Sequence, residues 1–274
     1  MSVLNGGVTL GQFFPGKSLL HRMDPRVKLL LTLAYIVMVF IPKNWYGLAV
    51  SIAFLVVSAL CSRLPGRLLW RSIRPILPLV LFTSIINVFY VREGAVLLDW
   101  WIFHITVGGV HSAAFITLRI LCLIMGSSLL TYTTSPTDLT DALERVLHPL
   151  TFLHIRVHTL AMMMTIALRF VPTLMDETDK IMSAQQARGA DLESGGLMKR
   201  VKALLPILIP LFVSSFRHAI ELATAMECRC YHGGDGRTRM KQLKMHGRDW
   251  ISAAVLCVAF AAIILLNLWI NPVI

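Results

Sequence analysis

Five stretches of this chain are so continuously apolar that a bilayer, and not water, must be their solvent: residues 27–41, 45–61, 76–91, 110–131 and 250–270. A helix needs ~20 such residues to cross the hydrocarbon core, where backbone polar groups are satisfied only inside helices or closed barrels. The first stretch is short and the other four approach the required length. With 56% of its residues hydrophobic and only 15% charged, a chain of 274 residues is too apolar for a water-soluble domain. The expected fold class is an all-α polytopic membrane protein with about five transmembrane helices. Residues 1–16 carry neither a basic n-region nor an apolar h-region, so no cleavable signal is expected. Five scattered cysteines do not make a disulfide framework.

The net charge of +11 raises the question of nucleic acid, which the distribution of the charge answers. Lys17, Arg22 and Arg26 precede the first apolar stretch with Lys28 at its very start, and Arg63, Arg67, Arg71 and Arg74 follow the second. The segments after the first and third stretches hold only Lys43 and Arg92. This alternation is the positive-inside pattern of a multi-pass protein of the cytoplasmic membrane with its N-terminus in the cytoplasm. It accounts for the basic balance with the lipid bilayer as partner and no nucleic acid, and anionic headgroups reinforce it.

The chain divides into an N-terminal transmembrane domain over residues 1–133, a cytoplasmic region over 134–248 and a C-terminal transmembrane helix over 249–274. The middle region opens with Ser135 and Pro136, an N-cap followed by the residue best tolerated at the first helical position. Leu139, Leu143, Val146, Leu147 and Leu150 follow at helical spacing until Pro149 ends or kinks the helix. Over 157–188, Met164, Leu168, Val171, Met175, Thr178, Met182 and Gln185 alternate steps of four and three, a heptad seam. After a turn at Gly195 and Gly196, residues 198–231 repeat the alternation through Val201, Leu204, Leu208, Leu211, Ser215, His218, Leu222 and Ala225. Two long amphipathic helices able to cross are expected. Arg169 and Pro172 interrupt the apolar half of one, and Pro206 with Pro210 that of the other, which favours helices lying along or dipping into the cytoplasmic face.

Both long helices end alike. Ala184, Ala187, Arg188 and Gly189 align with Ala225, Cys228, Arg229 and Cys230, small residues around an arginine. Small side chains let a helix end sink into a groove, and the guanidinium offers a permanent charge with a planar fork for carboxylates or carbonyl oxygens. Two such ends suit two equivalent pockets on a dimeric partner. The plainer alternative is that each arginine complements its own helix C-terminus, worth ~0.3–1 kcal/mol.

Other motifs carry less. Gly11, Gly16, Lys17 and Ser18 match the Gly-x-x-x-x-Gly-Lys-Ser phosphate loop. No hydrophobic strand precedes them and no acidic strand end follows to hold magnesium, so nucleotide binding is rejected. Cys228, Cys230 and His232 point in different directions on a continuing helix and lack a second ligand pair, so no metal is expected. Arg119 lies within the fourth apolar stretch, either contacting substrate or paired with carbonyls or a carboxylate of a neighbouring helix. Met162, Met163, Met164, Met175 and Met182 are either ordinary packing or an adaptable sliding surface. No catalytic constellation is present, and the chain is expected not to be an enzyme.

The chain resembles the transmembrane T component of energy-coupling factor transporters, the vitamin and metal importers of bacteria and archaea. The resemblance runs through Phe14, Pro15, Gly16 and Ser18, then His21 to Lys28 with Asp24, Pro25 and Arg26. It continues in Leu168 to Pro172 with Arg169, in Glu177, and in Ala184, Gln185, Ala187, Arg188 and Gly189. It closes in Ala225, Met226, Glu227, Cys228, Arg229, Cys230 and Tyr231. This similarity implies a scaffold for two ATP-binding-cassette subunits, which hold the ATP and Mg, and for a small membrane S component that captures the cargo; no cofactor is implied on this chain. Arg188 and Arg229 would then end coupling helices and fit grooves on the two ATPases. Cys228 and Cys230 depart from the family's commoner small residues. The rival reading, a self-sufficient secondary transporter or channel, would place ionisable residues near the midplane of several spans, where Arg119 is the one clear case.

Overall fold

A computed structural model of the chain describes residues 13–90, 96–100, 103–153, 156–190, 196–233 and 245–269. Two compact units emerge, Met1–Leu143 with Lys241–Ile274, and Glu144–Met240.

The first unit is a helical bundle of α1 (Pro25–Phe40), α2 (Trp45–Ser62), α3 (Gly66–Ile73), α4 (Leu77–Tyr90), α5 (Val107–Thr133) and α9 (Gly247–Trp269). Its helix starts follow local chemistry. Asp24 caps α1 by accepting the Arg26 N–H at 2.9 Å, with Pro25 supplying a helical φ at the first position. Asn44 caps α2 by accepting the Gly47 N–H at 2.8 Å. The expected all-α class needs one addition: β1 (Val96–Trp100) and β2 (Phe103–Thr106) pair as an antiparallel hairpin between α4 and α5.

Length corrects the expected spans. At 1.5 Å per residue the 16 residues of α1 reach only about 24 Å, short of the ~30 Å core. The third stretch forms α4 alone, which meets the short α3 before it at a bend of 57° near Pro75. Among the described residues five helices have the length and apolarity to cross a bilayer, α2, α5, α9 and the two long helices of the second unit; the bent pair would make a sixth.

Tyr35, Met38 and Val39 of α1 pack with Leu55 of α2, Cys122 and Leu129 of α5, and Leu256 and Ile263 of α9. Gly126 lets Tyr35 approach α5 so closely that a Cβ there would lie 2.5 Å from the ring. In the turn from α1 to α2, Pro42 and Asn44 are buried, and the carbonyls there still need donors. Arg119 of α5 donates to the Pro42 carbonyl at 2.7 Å, and its guanidinium lies 4.8 Å from the Phe115 ring centroid. Asn267 of α9 donates to the Ile41 carbonyl at 2.9 Å and accepts the Lys43 N–H at 3.2 Å. Arg119 therefore clamps backbone, one of the two roles its sequence position left open.

The second unit holds α7 (Val157–Ala187) and α8 (Leu197–Cys228), with the short 3-10 helix His148–Leu153 packed on α7. That short helix follows α6 (Pro136–Leu147), so the chain leaves α-helical geometry just before Pro149. Ser135 caps α6, its hydroxyl accepting the Asp138 N–H and donating to the Asp138 carboxylate. The helices α7 and α8 run antiparallel. Gln185 meets Pro206 at one end, Glu177 meets Ser214 midway, and Met162 meets Tyr231 at the other end. The seam expected on α7 faces inward from Leu168 to Gln185. On α8 it holds from Leu211 to Leu222, but the residue buried nearer its start is Ile207, where Leu204 and Leu208 were expected.

Candidate functional site: two matched helix endings

The ends of α7 and α8 are built alike. Arg188 and Arg229 are the C-caps, with φ/ψ of −85/6 and −93/17. The next residue turns left-handed at both ends, Gly189 at φ +85 and Cys230 at φ +56. The Gly189 N–H reaches the Gln186 carbonyl and the Cys230 N–H the Glu227 carbonyl, each at 2.9 Å. One residue on, Ala190 N–H bonds the Gln185 carbonyl and Tyr231 N–H the Met226 carbonyl, at 3.0 and 3.1 Å. This is the Schellman closure, which satisfies the last carbonyls and halts the helix. It presents Ala184, Ala187, Arg188 and Gly189 at one end, and Ala225, Glu227, Cys228, Arg229 and Cys230 at the other, all exposed. Neither guanidinium has an ion-pair or hydrogen-bond partner among the described residues.

Because the helices are antiparallel, the arginines stand at opposite ends of the pair, about 39 Å apart along the axis, since Tyr231 pairs with Met162 and so sets Arg229 beside the start of α7. Polar contacts set the register between them. Pro210 has no N–H, so the Pro206 carbonyl loses its partner within the helix, and the Gln185 amide donates to it at 3.3 Å. Midway, the Ser214 hydroxyl donates to Glu177 Oε1, and His218 lies 3.7 Å from the same carboxylate and 3.6 Å from Glu221. Tyr231, just past the second ending, donates to Met162 Sδ at 2.9 Å. Sequence reasoning missed these cross-ties; the missing amide of Pro210 is the signal that could have found one. Arg169 and Pro172 are exposed on α7.

The remaining residues singled out from the N-terminal motif belong to the first unit. Asp24, Lys28 and Asp249 are buried together: Asp249 accepts the Asp24 N–H at 3.2 Å, and Lys28 Nζ donates to the Thr133 carbonyl at 3.0 Å. Arg26 lies beside Asp24 at 3.5 Å. The phosphate-loop match folds as a strap. His21 Nε2 donates to the Phe14 carbonyl, its Nδ1 pairs with Ser18 at 2.6 Å, and Phe14 N–H bonds the Tyr132 carbonyl. With Ser18 buried and committed and α1 starting only at Pro25, the segment is no phosphate cradle; Gly11 of the match lies outside the described residues. No three His, Cys, Asp or Glu side chains gather as metal ligands among the described residues.

A bundle of apolar helices followed by an antiparallel pair with arginine-tipped ends defines a multi-pass membrane protein. A family model described as cobalt transport protein, CbiQ, matches residues 16–240. The energy-coupling factor transporter transmembrane protein EcfT of Clostridium kluyveri is 51% identical over 263 residues, covering 96% of this chain and 97% of that protein. The proteins of the same description from Bacillus subtilis and Lactococcus lactis are 44% and 42% identical, covering 93% and 95% of this chain and 96% and 97% of their own lengths. The chain belongs to the EcfT family, the non-catalytic transmembrane components of energy-coupling factor transporters.

Proposed function

We propose that Arg188 and Arg229 dock this subunit onto two ATP-binding-cassette ATPases, the EcfA and EcfA' partners, and transmit their movement to a membrane S component that carries a vitamin or other micronutrient. The observation that carries this reading is the two-fold character of the α7–α8 pair. Two helices of nearly equal length, antiparallel, with the same closure after the same residue, offer two equivalent contacts to a partner that is itself a dimer. A simple helix-end complement would explain each arginine singly but not the repetition of Ala184, Ala187 and Gly189 in Ala225, Cys228 and Cys230.

In this reading residues 134–248 form the coupling region, with α7 and α8 lying along or dipping into the cytoplasmic face and the N-terminus on the same side. ATP and Mg bind the partners. ATP binding draws the ATPases together, moves the helix ends held by Arg188 and Arg229, and changes the angle between α7 and α8. The S component riding on them reorients and releases its cargo inward. Glu227 beside Arg229, and Arg169, Pro172 and Glu177 along α7, shape the helices that carry this motion.

Truncating one partner of a buried charged hydrogen bond costs ~2–5 kcal/mol, and reversing its charge costs more. The Arg188→Glu, Arg229→Glu double variant is expected to lose both co-purifying ATPase subunits and uptake. A double variant that keeps both sinks the proposal.

A further inference from the structure

The helix α3 carries a cationic face that the function proposed above does not use. Residues 25–92 contain no Asp or Glu, and Arg63, Arg67, Arg71 and Arg74 fall in the middle of that acid-free run. All four are exposed, and none has an ion-pair partner among the described residues. At about 100° per residue, Arg67, Trp70, Arg71 and Arg74 share a sector of about 100°, since Arg74 keeps helical geometry as the C-cap. Trp70 marks one edge of that sector, next to Arg74, and is 60% exposed.

The opposite face is fixed. Leu69 packs against the bundle core, Ser72 shares a hydrogen bond with the Tyr132 hydroxyl, and that hydroxyl reaches the Leu68 carbonyl. Thus α3 is held against the C-terminal end of α5, and its arginines cannot turn inward. Covalent continuity sets its depth: α2, a candidate span, ends at Ser62, only four residues before α3, and α4 leaves at 57°. A short helix bent between apolar segments, with a bare tryptophan beside arginines, has the composition of the headgroup layer, where indole rings settle and guanidinium forks pair with phosphate.

We infer that Arg67, Arg71 and Arg74, with Trp70, form a binding site for the phosphate headgroup of an anionic phospholipid, and that Arg63 adds to its field. The site anchors the bend between α3 and α4 at the membrane surface. It is independent of the two helix endings.

The test uses the full-length chain with its co-purifying subunits, exchanged into nanodiscs of phosphatidylcholine with a minor share of phosphatidylglycerol. Lipids retained on release into detergent are counted by native mass spectrometry. Wild-type protein is expected to retain phosphatidylglycerol over phosphatidylcholine. The R67Q/R71Q/R74Q variant is expected to lose that preference by about fivefold for each arginine removed. The R67K/R71K/R74K variant, which keeps the charge, should retain most of it. An unchanged preference in the glutamine variant, or its loss in a monodisperse lysine variant, overturns the inference. Displacement of the lipid by inorganic phosphate at equal concentration would also overturn it, by assigning the site to free phosphate. Loss of the ATPase subunits from the glutamine variant would assign the patch to a protein contact and overturn it as well.

Discussion

Gly189 and Cys230 occupy the same left-handed position one residue past the two arginines, at φ +85 and +56, and only one of them is glycine. A non-glycine residue in this conformation costs ~1–2 kcal/mol relative to its preferred region. The second ending is therefore held in its shape against a local preference that the first does not face. Cys230→Gly is expected to stabilise the second ending by about 1 kcal/mol and to leave ATPase association intact or tighter. Gly189→Ala should weaken the first ending by a similar amount, although its Cβ would meet no atom within 4 Å. Hydrogen exchange at Ala190 and Tyr231, whose amides close the two turns, measures both changes.

Glu177 and Ser214 tie the middle of the helix pair. Ser214→Ala is expected to cost ~0.5–3 kcal/mol, because the half-buried carboxylate loses a donor. A double-mutant cycle with Glu177→Gln should show a coupling of ~0.5–3 kcal/mol, as for side chains in direct contact. Cargo moved per ATP hydrolysed is the readout for the complex. A fall in that ratio with ATPase association unchanged would mark the tie as part of the transmission.

Tyr35 fills the space that Gly126 leaves. Gly126→Ala drives a methyl into the ring and should destabilise the bundle by ~1–3 kcal/mol, seen as a lower midpoint of thermal unfolding in detergent. Removing only the hydroxyl with Tyr35→Phe should not rescue it, since the clash is with ring carbons; Tyr35→Leu should recover part of the loss.

Arg119→Gln is expected to destabilise the turn between α1 and α2 by ~1.5–3 kcal/mol, the range for a hydrogen bond from a charged group. Protein that still folds should keep its ATPase subunits and its cargo preference. A changed cargo preference in well-folded protein would restore a substrate role for Arg119.

The apolar segments of α2, α5 and α9, the cap at Ser135 and the repeated endings were legible in the sequence because each rests on local chemistry: apolar length, a hydroxyl before a proline, small residues around an arginine. What escaped depends on partners distant in sequence. Nothing near Arg119 says that its acceptor is a carbonyl at Pro42. Likewise, nothing near Met162 announces Tyr231. The hairpin of β1 and β2 is too short to show a clear period-two pattern. The start of the α8 seam was misplaced at Leu204 and Leu208 because the heptad was extended through two prolines, and burial moved to Ile207.

The central claim is that the two endings contact two ATPases, one each, and site-specific photo-crosslinking tests it most directly. A photoreactive residue replaces Ala187 or Glu227 in the full complex, singly and together. The account predicts a crosslink from each position to an ATPase subunit, and from the doubly substituted chain a species carrying both. Crosslinks from either position to lipid or to the S component alone, with the ATPases present and active, would contradict it.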